Sequence, residues 1–139
     1  MRGRDGRERP EGRGRWRDGR GTVRIEDGES VPLEIPVEIA ASYRARTRGL
    51  LGRDGIEGAV LLTPAASVHT LGMRFPIDVA YLDRRFTVLS VRTMRPGRLG
   101  WVRLRSRHVL ESEAGTMERW GLRRGARVEV DAFPLTPGR

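Results

Sequence analysis

The sequence predicts a mostly β fold: a single small sandwich or barrel-like domain with about two short helices. The 139 residues are enough for one hydrophobic core. Eighteen glycines and eight prolines are many for a helical bundle but typical of short strands joined by turns. From Thr22 onward the chain consists of short alternating or apolar runs. We therefore expect one β-rich domain over residues 22–132, followed by a C-terminal tail at 133–139.

The predicted strands are marked by alternation or by short apolar runs. Ile35, Val37 and Ile39 alternate with polar residues and Pro36, which is typical of an edge strand with one solvated face. A turn separates the runs 77–82 and 86–92, which predicts a hairpin. In its first strand both faces are largely apolar, so we expect that strand to be central. Three more strands are expected over 59–63, 101–110 and 127–131.

Two short helices complete the predicted fold. Ser42 is a helix-capping residue type, and the helix that it begins should end before Gly49. The second helix is predicted over residues 116–120, capped by Thr116 and stopped by Gly121. The sequence thus predicts roughly seven strands and two helices.

Residues 1–21 are predicted to form a disordered tail. They contain eight arginines and six glycines, with Met1 and Trp16 as the only large apolar side chains. Such a segment cannot bury enough surface to offset its loss of conformational entropy. An Arg-Gly arm that binds RNA or phosphate is the alternative to a plain solvated tail, which we favour. Without a signal-like or membrane-spanning apolar run, the expected location is the cytoplasm.

The charge of +9 comes from arginine alone, because the sequence has no lysine. A basic protein attracts anionic partners such as polyanions, whatever its fold. The absence of cysteine excludes disulfides, thiolate nucleophiles and cysteine metal sites. The sequence contains neither the Walker motif nor Gly-x-Gly-x-x-Gly, the two glycine-rich motifs that bind phosphate groups. We therefore expect no bound cofactor.

The segment from Ser67 to Asp83 is the strongest candidate for a site. Asp78 has apolar neighbours on both sides, and an unpaired buried carboxylate costs several kcal/mol. We expect this carboxylate to accept hydrogen bonds from backbone amides, an arginine or His69. The tentative ligand-binding residues are His69, Thr70, Met73 and Asp78.

An enzyme is the alternative interpretation of the same segment. Ser67, His69 and Asp78 are the residue types of a hydrolytic triad, but the nucleophile elbow Gly-x-Ser-x-Gly is missing. A metal site is not expected either: His69 and His108 are far apart in sequence, and zinc would need a carboxylate such as Asp78 or Glu111 as well. We therefore predict no catalytic residues and no metal ligands.

A second candidate region is basic. From Arg84 to Arg107 the sequence has eight arginines and no acid. On a strand over 101–110, one face would present a tryptophan beside a row of guanidinium groups, which suits weak nucleic-acid binding through stacking and phosphate contacts. A solvated strand face explains the same residues and is favoured. The residues of this predicted basic face are Trp101, Arg103, Arg105 and Arg107.

Three motifs occur in an order and spacing that resemble a known family. They are Tyr-Arg-Ala-Arg-Thr-Arg-Gly-Leu-Leu-Gly-Arg at 43–53, Met-Arg-Phe-Pro-Ile-Asp-Val-Ala-Tyr-Leu-Asp at 73–83, and Val-Leu-Glu-Ser-Glu-Ala-Gly at 109–115 with Gly-Leu-Arg-Arg-Gly at 121–125. Together they resemble the domain of unknown function 192 over residues 31–131. The resemblance implies a compact, mostly β, sandwich-like domain and no established activity. Our interpretation is a non-enzymatic binding module, with a pocket near His69 and Asp78 and a basic face for an anionic ligand or partner.

Overall fold

A computed structural model describes residues 16–26 and 31–134. In this part of the chain seven strands form one sheet, in the order β5-β4-β6-β3-β2-β1-β7. Two short helices lie outside it, and no described helix has the length and apolar character to cross a membrane. The strands are β1 (Gly19–Ile25), β2 (Leu33–Ala40), β3 (Ala59–Leu62), β4 (Ile77–Leu82), β5 (Val88–Met94), β6 (His108–Glu113) and β7 (Val128–Ala132); the helices are α1 (Tyr43–Arg48) and α2 (Thr116–Arg119).

The sheet is curved, and its β5 end is hydrogen-bonded to its β7 end. Neighbouring strands pair antiparallel except β2 and β3, which are parallel. Beyond this ladder, the Val88 N–H donates to the Ala126 carbonyl at 2.8 Å, and the Val128 N–H donates to the Phe86 carbonyl at 3.1 Å. These bonds join the β5 end of the sheet to the β7 end. The prediction of a mostly β domain with about two short helices is confirmed.

The inner core lies on the concave face of this sheet. All seven strands contribute apolar side chains to it, as alternation along a strand requires. Met117 of α2 and Leu122 close one part of this core, and Trp16 packs against it with its ring edge toward Phe86 at 5.9 Å. This core holds the barrel together.

The outer core covers the opposite face of β3, β6 and β4. Val60, Val79 and Val109 form its sheet side. The chain after α1 covers them with the fully buried Leu50, and the loop between β3 and β4 covers them with Val68 and other apolar side chains. Burying one such side chain contributes about 1.5–3 kcal/mol. The second core explains why β3, β4 and most of β6 are buried on both faces.

The first helix has the predicted cap, and the second does not. Ser42 Oγ accepts from the Ala45 N–H at 3.1 Å, and α1 ends at Gly49, as expected. Helix α2 begins after Gly115, which has no capping side chain, whereas the sequence predicted Thr116 as the cap. A carboxylate from β4 binds the first turn of α2 instead, as described below.

Three further predictions need correction. The edge position expected for the strand that contains Pro36 is wrong, because β2 lies between β1 and β3 and pairs with both. Strand β1 begins at Gly19, inside the predicted tail, and Trp16 is buried, so residues 16–21 belong to the folded domain; residues 1–15 and 135–139 of the predicted tails lie outside the described residues. The strand predicted over 101–110 is correct only for residues 108–110, where β6 begins. Residues 101–107 are loop: Val102 and Leu104, which would have formed the buried face of a strand, are exposed.

Candidate ligand-binding cleft

A small cleft opens on the outer face of the sheet, between β6, the end of α1 and the loop that follows β3. Its volume is about 60 Å³, enough for a few atoms of a ligand. Its walls are mainly apolar, and its polar lining comes from three different segments of the chain. The lining residues are Arg46, Thr47, Arg48, Gly49, Leu50, Leu51, Leu62, Ser67, Val68, His69, Met73 and Glu111.

Glu111 supplies the carboxylate of this cleft. It lies in the middle of β6, between Val60 of β3 and Val79 of β4. Its side chain is 4% exposed, and within the described part of the chain it has no hydrogen bond or ion pair. Burial without a partner disfavours the charged form and raises the pKa of Glu111 to about 7. Buried polar groups normally have partners, so this carboxylate is an exception that needs a cause.

Gly49 keeps the space in front of this carboxylate open. Its φ of 45° lies in the left-handed region, which glycine adopts without strain. A Cβ placed on it would lie 3.3 Å from Oε1 of Glu111. Glycine at the end of α1 therefore serves both the helix terminus and the cleft.

Ser67 and His69 lie at the mouth of the cleft. Two residues apart on an extended segment, both are exposed, with the buried Val68 between them. Within residues 16–26 and 31–134, their side chains have no hydrogen-bond partner. Of the two α1 arginines that line the cleft, Arg46 is held by the carbonyls of Ala41 and Pro64, whereas Arg48 is exposed and has no such bond.

The tentative ligand residues divide into two groups. His69 and Met73 line the cleft. Thr70 is fully buried, and its hydroxyl is bound at 2.6 Å to the carbonyl of Arg95 and at 2.8 Å to the N–H of Arg98. Thr70 therefore fastens the loop before β4 to the loop after β5 and offers no group to a ligand.

Asp78 lies on the other face of the sheet from His69. Its Oδ1 accepts from the Thr93 hydroxyl at 2.7 Å, and its Oδ2 accepts from the N–H of Met117 in the first turn of α2 at 3.1 Å. The prediction of a buried carboxylate with backbone-amide partners is therefore confirmed. The structure does not assemble the Ser67/His69/Asp78 triad, because alternation along β4 turns Asp78 toward the inner core.

His108 occupies the inner face of β6, three residues before Glu111. Its Nδ1 lies 2.7 Å from Thr63 Oγ1, and its ring stacks on Phe86 with centroids 4.1 Å apart. Burial, reinforced by the charge of Arg107, lowers the pKa of His108 to about 4. No cluster of three or more potential metal ligands occurs among the described residues.

The predicted basic face is not a continuous row. Arg103 is half-buried with its guanidinium 5.1 Å from the centre of the Tyr81 ring, whereas Trp101, Arg105 and Arg107 are exposed. The loop that carries them adjoins the mouth of the cleft, since His69 forms a backbone bridge with Leu99. The basic residues and the cleft are therefore neighbours, although no shared strand face joins them.

Sequence reasoning overlooked Glu111 as the main polar group of a site. The available signal was the one that drew attention to Asp78: an acid placed after two apolar residues in a strand-like run, here Val109 and Leu110. Only the tertiary structure separates the two acids, because the sequence does not show which of them meets donors.

The sequence is similar to a family of uncharacterised proteins. The model of the DUF192 family, described as "Uncharacterized ACR", matches residues 23–130. A UPF0127 protein of Pyrococcus abyssi is 32% identical over 113 residues, which cover 78% of this chain and 92% of that protein. A UPF0127 protein of Pyrococcus horikoshii is 30% identical over 99 residues, covering 68% and 86%.

Two solved structures share the fold. A putative transcription regulator from Sinorhizobium meliloti matches with a TM-score of 0.71 and 22% identity, over 81% of this chain and 95% of that one. A protein of unknown function from Novosphingobium aromaticivorans matches with a TM-score of 0.61 and 19% identity, over 78% and 83%. At these identities the likeness concerns architecture alone.

Proposed function

This chain belongs to the DUF192 family, and we propose that it is a non-enzymatic binding domain whose ligand enters the cleft at Glu111. The observation that carries the proposal is the unpartnered Glu111 carboxylate, buried and facing the cleft. A binding site in place of an internal partner explains why this acid is tolerated in an otherwise apolar core. The pocket predicted near His69 and Asp78 is thus proposed at His69 and Glu111.

The chemistry of the cleft favours a ligand group that donates hydrogen bonds. A carboxylate accepts, and a donor brought by the ligand would remove the cost of its burial. The apolar walls formed by Leu50, Leu62 and Val68 suit a short carbon stem behind that donor. The proposed ligand is therefore a small amine, alcohol or amide, or such an end group on a larger molecule.

The mouth of the cleft suits a different group of the same ligand. Arg48 and His69 are exposed there and supply donors for an anion. A molecule with a donor at its inner end and a negative charge at its outer end would satisfy both zones. Such a ligand carries the negative charge that the sequence favours, and that charge would lie at the mouth of the cleft.

The proposal can be tested with matched fragments by NMR. Ethylammonium and propionate have similar size but present a donor and an acceptor, respectively. We expect ethylammonium to shift the backbone amide signals of Gly49, Val68 and Glu111, and propionate to leave these three unchanged. Glu111→Gln should abolish the response to ethylammonium, because the cationic group then loses its counter-charge.

Glu113→Gln is the matched control. Glu113 lies two residues further along β6, points to the same side of the sheet and is exposed. This variant should bind ethylammonium as the unmodified protein does. Equal responses of both variants, or a response to propionate alone at these amides, would overturn the proposal.

A further inference from the structure

We infer that the loop from Leu99 to Leu104 is a docking surface for anionic lipid membranes. This inference names the anionic partner that the basic residues favour, and it is independent of the ligand proposed for the cleft. The apolar side chains of this loop are unusually exposed. Trp101 is 83% exposed and Leu104 is 94% exposed, with Leu99 and Val102 also largely in solvent. Four such residues within six positions form an apolar patch of the kind that marks interaction sites.

The loop is held in place, so its exposure is a fixed feature. The Gly100 N–H donates to the Val68 carbonyl at 2.7 Å, and the Arg103 N–H donates to the Ala66 carbonyl at 2.8 Å. Gly100 itself sits so close to the sheet that a Cβ there would lie 2.9 Å from the Tyr81 hydroxyl. The backbone is thus fastened to the outer core while the apolar side chains point away from it.

Arginines flank the apolar residues on both sides. Arg95 and Arg98 precede them, Arg105 and Arg107 follow, and all four are exposed. The segment from Arg84 to Arg107 contains no acid that would neutralise these charges. Each basic residue near an anionic bilayer contributes about 1 kcal/mol of attraction.

This combination fits a bilayer better than other partners. Tryptophan and aliphatic side chains insert shallowly into the headgroup region, and the arginines remain at the level of the lipid phosphates. A nucleic acid could stack on Trp101 but offers no apolar phase for Leu99, Val102 and Leu104. A protein partner needs about 800 Å² on each side, more than four side chains of one loop provide.

The test uses the full chain and sedimentation with vesicles. We expect binding to phosphatidylcholine mixed with phosphatidylglycerol and much weaker binding to phosphatidylcholine alone. The double variant Trp101→Ala/Leu104→Ser should lower the partition coefficient at least about tenfold through lost apolar burial. Arg98→Ala and Arg105→Ala should each lower it about fivefold. All four side chains are exposed, so these variants should fold normally.

Matched controls lie elsewhere on the surface. Tyr43→Ala removes an exposed aromatic from α1, and the double variant Arg123→Ala/Arg124→Ala removes two exposed charges. Neither should reduce apolar insertion. With brominated lipids, fluorescence quenching should be present in the unmodified protein and lost in Trp101→Phe, which retains Trp16 and Trp120.

Three outcomes would overturn the inference. The first is vesicle binding that Trp101→Ala/Leu104→Ser leaves unchanged, since this means attraction by charge alone. The second is equal binding to neutral and anionic vesicles. The third is submicromolar binding of single-stranded DNA at physiological salt that depends on Trp101, together with no binding to vesicles. Vesicle sedimentation reports on the loop and the ethylammonium shifts report on the cleft, so failure here and failure of the cleft proposal are distinguishable.

Discussion

The acids buried on the two faces of the sheet differ in their hydrogen-bond partners. On the inner face Asp78 has two donors, whereas His108 contacts Thr63 through Nδ1 and its buried Nε2 has no hydrogen-bond partner among the described residues. On the outer face Glu111 is as deeply buried but has no hydrogen bond within the described residues. The comparison teaches that burial alone does not identify a site. The distinguishing observation is a buried acceptor whose donor is missing and whose cleft reaches solvent.

The largest expected effect is on the inner face. Asp78→Ala should reduce the free energy of unfolding by about 2–4 kcal/mol, because Thr93 and the first turn of α2 lose their acceptor. Urea unfolding measures it. Thr93→Val, which removes one of the two bonds, should cost about 1 kcal/mol. A fully stable Asp78→Ala protein would show that this carboxylate is not structural.

On the outer face, Glu111→Gln should stabilise the protein at high pH. The folded pKa of Glu111, about 7, lies above its ordinary value of 4.5. The folded state therefore binds the proton more tightly than the unfolded state, so stability falls as pH rises from 4.5 to 7. Above pH 7 the full cost, about 3 kcal/mol, is present in the unmodified protein and absent in Glu111→Gln. Urea unfolding at pH 5 and pH 8 measures the difference.

His108 provides the opposite pH dependence and sharpens this test. The pKa of His108 is lowered from 6.5 to about 4 in the folded protein, so the folded state disfavours protonation. The contribution of His108 to the free energy of unfolding is therefore complete above pH 6.5 and is lost as pH falls toward 4. Between pH 4.5 and pH 6.5 the contribution of Glu111 to stability falls and that of His108 rises, so in the unmodified protein the two changes offset each other. Glu111→Gln should therefore show stability that rises with pH between 4 and 6.5. A variant with the same pH profile as the unmodified protein would contradict the assignment for Glu111.

A smaller effect on stability is expected at Asp18, which binds the residues just before α1, a helix that lines the cleft. The Asp18 carboxylate accepts from the N–H groups of Ala41 and Ser42 and from the Ser42 hydroxyl, and these bonds lower its pKa. Asp18→Ala should cost about 1 kcal/mol at neutral pH, the usual value of an exposed set of hydrogen bonds to a charged acceptor. Thermal unfolding would show it, and Asp54→Ala, at another exposed acid, is the control. An unchanged melting temperature would mean that residues 16–18 do not support α1.

The smallest expected effect is on catalysis. Ser67→Ala should leave any turnover of a panel of ester and amide substrates unchanged, because Ser67 and His69 are not hydrogen-bonded and Asp78 is on the other face of the sheet. Turnover that disappears in both Ser67→Ala and Glu111→Gln would make the outer face an active site and would refute the non-enzymatic proposal.

Much of the fold could be predicted from local pattern. The alternation in β2, the apolar run of β3, the hairpin of β4 and β5 and the Ser42 cap of α1 all occur where the sequence indicates them. Each depends on neighbouring residues only. Local pattern fails where it is ambiguous. The alternating arginines around Trp101 predict a strand face, although alternation specifies a strand only if one of its faces is buried.

The candidate site could be predicted only in part. His69 and Met73, two of the four predicted ligand-binding residues, line the cleft. Thr70 and Asp78 instead form hydrogen bonds with groups that are distant in sequence. Glu111 enters the cleft through the pairing of β6 with β3 and β4.

The sequence by itself determined the class of fold, the family, the basic character and the burial of Asp78, since composition, motifs and short-range periodicity encode these properties. The tertiary structure decided which acid is satisfied and which faces a cleft. Asp78 and Glu111 each follow an apolar residue in a strand-like run but project from neighbouring strands to opposite faces of one sheet. Asp78 accepts a hydrogen bond from the Met117 N–H of α2, whereas Glu111 faces the space next to Gly49. Hydrogen-bond partners distant in sequence are set by strand register and helix packing, which local pattern does not specify.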